Sequence, residues 1–108
     1  MMQIRALLIT LLCSVTVHAH HSRAMFDLDI TLKLEGKISK ATWRNPHVYF
    51  EIDVESVDGQ TTTWVLESSS VALLAQSGWT QDTIKVGDLV VVMANPQKGD
   101  SRRYAALI

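Results

Sequence analysis

The chain has one cysteine, two prolines and five glycines in 108 residues, and its basic and acidic side chains nearly balance. Each scarcity excludes something. Cys13 lies in an apolar stretch near the amino terminus, so the chain beyond it can form no internal disulfide and offers no thiolate for nucleophilic or metal chemistry. Packing alone must hold such a fold. Beyond residue 19 there are nine Lys and Arg against eleven Asp and Glu, a formal charge of −2, with only Arg102 and Arg103 adjacent among the basic residues. A surface of that kind lacks the basic field that releases counterions from nucleic acid, so no nucleic-acid partner is expected. No apolar run approaches the ~20 residues of a bilayer span, and no membrane insertion is expected once the amino-terminal segment is removed. No catalytic constellation is readable either, and the reading leans away from an enzyme.

What is present begins with an export signal. Arg5 supplies the positive start, Ala6 to Leu12 the apolar run, and Val17-His18-Ala19 a small-residue cleavage site. The expectation is a signal peptide over 1–19 cleaved after Ala19, a periplasmic product beginning at His20, a polar leader over 20–29, and one domain over 30–108.

That domain reads as β-rich. Ile30, Leu32, Leu34 and Ile38 share one parity, and the phase slips before Ala41 and Trp43, which predicts a long first strand bent by a bulge near Ser39-Lys40. Pro46 ends the run, because it has no N–H for a ladder. Val48, Phe50, Ile52 and Val54 then point inward, with His47, Tyr49, Glu51, Asp53 and Glu55 outward. Asp58-Gly59 predicts a type I′ hairpin into Thr62 to Glu67, with Trp64 and Leu66 inward. Ser68-Ser69-Ser70 before Val71, Leu74 and Ala75, with Gly78 beyond, predicts a short serine-capped helix. Leu89 to Ala94 is continuously apolar and predicts a strand buried on both faces. Asn95-Pro96 through Asp100 predicts a turn, and Tyr104 to Ile108 a last strand. The order β-β-β-α-β-β is that of a five-stranded, OB-like antiparallel barrel, with an open sheet under one helix as the alternative.

The candidate chemistry is in the histidines. Cleavage after Ala19 gives His20 a free amine beside its imidazole, groups that ordinarily ionise near about 7.7–8.0 and about 6.5, so both can shed protons to a metal near neutral pH. His47 or His21 would add a third nitrogen, a histidine-brace set. Nitrogen donors without thiolate suit copper first, with zinc as the alternative. His20, His21 and His47 are therefore the candidate metal ligands. His47 also admits a purely structural role, donating to a carbonyl at the corner while Asn45 satisfies nearby backbone groups. Glu51 and Glu67 read as a solvated acidic face. The three tryptophans read as packing.

Ala19-His20-His21-Ser22, Phe26-Asp27, Leu34-Glu35-Gly36, Trp43-Arg44-Asn45-Pro46-His47, Gly78-Trp79-Thr80 and Val86-Gly87-Asp88, in that order, resemble a family of small exported bacterial proteins, domain-of-unknown-function family six-one-five-two. The resemblance implies a signal-bearing periplasmic OB-like domain, lends weight to His20, His21 and His47, and brings no activity with it. Two classes of function result. One is a periplasmic protein that carries or buffers a metal ion, copper preferred. The other is a module that binds an envelope protein or ligand, in which the histidines are incidental.

Overall fold

The computed structural model describes residues 21–99 and 103–108. The expected signal segment, its cleavage site after Ala19 and His20 lie outside the described residues, as does the side chain of His21. The elements are α1 (His21–Ala24), β1 (Leu32–Thr42), β2 (Tyr49–Glu55), β3 (Thr61–Glu67), α2 (Val71–Gln76), β4 (Leu89–Pro96) and β5 (Tyr104–Leu107). The five strands close in the order β1-β2-β3-β5-β4, with β4 returning to β1. All pairings are antiparallel except β3–β5, which is parallel because α2 and β4 intervene between them and bring the chain back in its original direction. This is the OB arrangement.

β1 bends because it serves two neighbours. Its first half, Leu32 to Lys37, pairs with β4, and its second half pairs with β2, with the register slipping between Ile38 and Lys40. Ser39 is the extra residue of the expected bulge. Near the change of partner, Gly36 leaves room for the backbone of β2: a Cβ there would lie 2.1 Å from the Asp53 carbonyl oxygen. The inward residues of the strands meet as the core, with Ile38, Val48, Ile52, Leu66, Ala94 and Ala105 almost fully buried. Leu74 of α2 joins that core, and Trp43, Trp64 and Trp79 pack half-buried against its rim. The Ser70 hydroxyl caps α2 by accepting from the Leu73 amide at 3.3 Å.

Four details differ from the sequence expectation. The hairpin is not type I′: only Gly59 has positive φ, at 82°, and the Gly59 amide donates to the Ser56 carbonyl while Ser56 donates to Gln60. That is a three-residue loop ending in a left-handed glycine, and it requires only one such residue. β4 is buried on one face only. Val92 and Ala94 enter the core, whereas Leu89, Val91 and Met93 are 81%, 55% and 45% exposed; the barrel is a single layer, so continuous apolar sequence does not imply two covered faces. Asn95 and Pro96 continue β4 rather than turning, held by pairing with β5. Glu67 is buried at 8% exposure, not solvated, for the reason given next.

Candidate functional site

His47 stands one residue before its neighbour Val48 enters the core, at the end of the corner formed by the cis Asn45-Pro46 peptide. The corner is stitched to the β3–α2 junction. Val48 donates to the Ser69 carbonyl and Ser68 donates to the Val48 carbonyl, at 2.9 and 2.8 Å, and the Asn45 side-chain oxygen accepts from the Val71 amide at 3.1 Å. The His47 Nδ1 lies 3.0 Å from the Ser68 carbonyl oxygen. A carbonyl can only accept, so Nδ1 carries the proton of this hydrogen bond, and Nε2 is the ring nitrogen it leaves uncommitted. The expected structural role of this histidine is therefore present, and it leaves one ring nitrogen available as a donor.

Behind the imidazole is a carboxylate. Glu67 lies outward on β3, opposite Tyr49 of β2 and beside Ala106 of β5, and its Oε1 is 3.5 Å from His47 Nδ1. Its Oε2 accepts a hydrogen bond from the Tyr104 hydroxyl. Outward faces of barrels are usually wet, but this one is covered. Phe26 is 2% exposed and lies flat on Tyr104, with ring centroids 5.7 Å apart and planes 10° from parallel. Burial, first, and then the hydrogen bond to Glu67 with Tyr49 close by push the Tyr104 phenol well above its ordinary pKa of 10.0. The Tyr49 ring meets His47 edge-on at 6.4 Å. Among the described residues no buried side-chain nitrogen or oxygen is left without a partner.

Phe26 reaches this position because the leader is held as a strand-like extension. Asp27 donates to the Pro96 carbonyl and Lys98 to the Met25 carbonyl, both at 2.8 Å, and Phe26 bridges to Gln97. Ahead of it, Arg23 shares with Phe26, Pro46, His47, Glu67 and Leu107 a cleft of about 260 Å³. Of the three expected ligands, His47 thus sits in a defined corner; His20 lies outside the described residues, and of His21 only the backbone, opening α1, is described. Among the described residues no three His, Cys, Asp or Glu side chains converge as a metal cluster, and no helix is long and apolar enough to cross a membrane. Sequence reasoning missed Phe26 as an anchor and Tyr104 as the partner of Glu67. Outward parity marks both Glu67 and Tyr104, but only the β3–β5 pairing makes them neighbours.

The molecule is thus a five-stranded OB barrel carrying a histidine–carboxylate–tyrosine cluster under an amino-terminal strap. Residues 8–105 match a family of unknown function (DUF6152), and the chain belongs to that family. It is the family the His-His-Ser and Trp-Arg-Asn-Pro-His segments resemble. No curated protein matches the chain. Among solved structures it is similar to the mitochondrial single-stranded DNA-binding protein Rim1 of S. cerevisiae, at 16% identity and a TM-score of 0.54, over 77% of this chain and 88% of that one. At that identity the likeness shows the fold alone.

Proposed function

We propose that this is an exported, periplasmic metal-binding protein, copper preferred and zinc the alternative, that carries or buffers its ion through His47 together with His20 and His21 at the processed amino terminus. The observation that carries the reading is the state of His47. Histidines that ligate metals donate their other ring N–H to a carbonyl or carboxylate, which fixes the tautomer and orients the ring. His47 does this with the Ser68 carbonyl, and the buried Glu67 carboxylate lies behind it. The cleft it shares with Arg23, two residues beyond His21, supports a common site. The amine and imidazole of His20 would supply the remaining nitrogens.

A nucleic-acid partner is disfavoured by the −2 formal charge and scattered basic residues of the exported chain. One specific feature favours the competing class, a module that docks an envelope protein: Leu89, Val91 and Met93 form an exposed apolar row along one face of β4, and contiguous apolar surface of this kind suits a protein partner.

The test is expression with the native signal, sequencing of the mature terminus, and titration with Cu(II) and Zn(II) followed by electron paramagnetic resonance for copper. The expected result is a nitrogen-rich copper site that is weakened by residues added before His20. His47→Ala should weaken it too without unfolding the domain. Copper binding no tighter than that of a short His-His peptide refutes the metal reading and leaves the docking module.

A further inference from the structure

The apolar row on β4 forms one side of a groove. By register Leu89 stands opposite Lys37 of β1 and Val91 opposite Glu35, and Lys37 in turn stands opposite Asp53 of β2. Where β1 changes partners Gly36 adds no side chain, and a concavity of about 580 Å³ opens there, lined by Leu89, Glu35, Lys37, Asp53 and Glu55. A second hollow shares Glu35, Gly36 and Leu89 with it and continues along the row to Val91. Three carboxylates and one ammonium therefore line the groove beside an apolar side chain that is 81% exposed. Among the described residues none of those carboxylates forms an ion pair, although Asp53 accepts from the Thr63 hydroxyl at 2.6 Å.

We propose that this groove docks a segment of a partner protein that carries basic residues among apolar ones. Apolar contact alone would admit several occupants, and the charge excludes most of them. A nucleic acid or an anionic lipid surface would bring phosphates against Glu35, Asp53 and Glu55, and a second copy packed on the same face would bring the same carboxylates. A segment with arginine or lysine beside valine or leucine meets both features. Its cations pair with carboxylates that have no cation of their own, and its apolar side chains cover Leu89 and Val91. Lys33 stands opposite Met93 at the far end of the row, so the basic residues belong at the Leu89 end. Attraction between exposed charges is screened within about 10 Å at 0.1 M salt, which makes this docking salt-sensitive. The groove is also separate from the His47 corner. Glu55 ends β2 on the side away from His47, roughly 25 Å along the strand at about 3.3 Å per residue. A metal site and this groove can therefore coexist, and the outcome of one test does not decide the other.

The experiment titrates the exported protein with a synthetic hexapeptide alternating arginine and valine, and with its glutamate–valine counterpart, while backbone amide resonances are followed at low and high salt. The expected result is a saturable shift at Gly36, Lys37, Leu89 and Val91 with the arginine peptide, weaker at high salt, and none with the glutamate peptide. Replacing two exposed carboxylates together, Glu35→Gln with Glu55→Gln, should weaken binding about threefold to tenfold. Leu89→Ser should weaken it about tenfold by removing apolar contact. Both changes lie on exposed side chains, so an unchanged melting temperature verifies that the barrel is intact. Equal binding of the two peptides would show that charge plays no part and overturns the proposal. So does the absence of saturable shifts in the groove up to millimolar arginine peptide, or binding that both variants leave within twofold of wild type.

Discussion

Replacing Gly36 by alanine tests the barrel geometry directly. The added methyl would meet the Asp53 carbonyl oxygen at 2.1 Å, its carbon at 2.9 Å and Ile52 Cγ1 at 3.2 Å. Ordinary carbon–oxygen approach is about 3.3–3.6 Å, so β1 and β2 must separate by more than about 1 Å. Two of the three obstructing atoms are backbone, inside a closed ladder, and cannot rotate away. Overpacking of this kind costs about 1–3 kcal/mol, and a rigid backbone puts the cost at the upper end, about 3 kcal/mol. Alanine also restricts the unfolded chain, which returns about 0.4–1 kcal/mol, since the backbone at position 36 lies outside the left-handed region. The net loss is about 2 kcal/mol, or a Tm lowered by about 8–16 °C for a domain of this size. Thermal unfolding followed by far-ultraviolet circular dichroism measures it. Gly59→Ala is the comparison, because nothing lies within 4 Å of its Cβ position and only its φ of 82° resists substitution. That change should cost about 1 kcal/mol. A Gly36→Ala protein melting within about 2 °C of wild type, or melting above Gly59→Ala, would refute the close approach of the two strands.

Two more outcomes follow from the same contacts. Tyr104 has its phenol pKa raised by burial and by its acceptor Glu67, so above pH 10.0 the unfolded chain releases a proton that the native state retains; stability is full below that pH and falls as pH rises beyond it. Chemical denaturation at several alkaline pH values should show this decline in wild type and a shallower one in Tyr104→Phe. Ser70→Ala removes the acceptor of the Leu73 amide at the start of α2, and equilibrium urea unfolding should register a loss of about 1 kcal/mol with an unchanged denaturant slope.

Much of the barrel could be read from local pattern. Alternation along Val48 to Val54 assigned the inner face of β2, the phase slip in β1 located its bulge at Ser39, and the serine run and Gly78 bounded α2. These signals are local because a pleated strand alternates every residue and a cap acts within one turn. The pattern failed where burial depended on what a face meets. Leu89, Val91 and Met93 are apolar yet exposed, because no second layer covers β4. Glu67 is charged yet buried, because Phe26 and Tyr104 cover it from segments 41 and 37 residues away.

The same division holds for the candidate site. Sequence alone picked out the Asn-Pro-His corner, since proline interrupts a ladder and histidine is the side chain there able to ligate. It also offered the two roles for that imidazole without choosing between them. The tertiary structure decided which nitrogen is committed, because the Ser68 carbonyl 21 residues away accepts from Nδ1. It decided, too, that the leader lies against the outer face of the barrel, where a parallel seam between β3 and β5 brings Glu67 and Tyr104 side by side. Pairing between distant strands is a property of the closed sheet, and no periodicity within either strand encodes it.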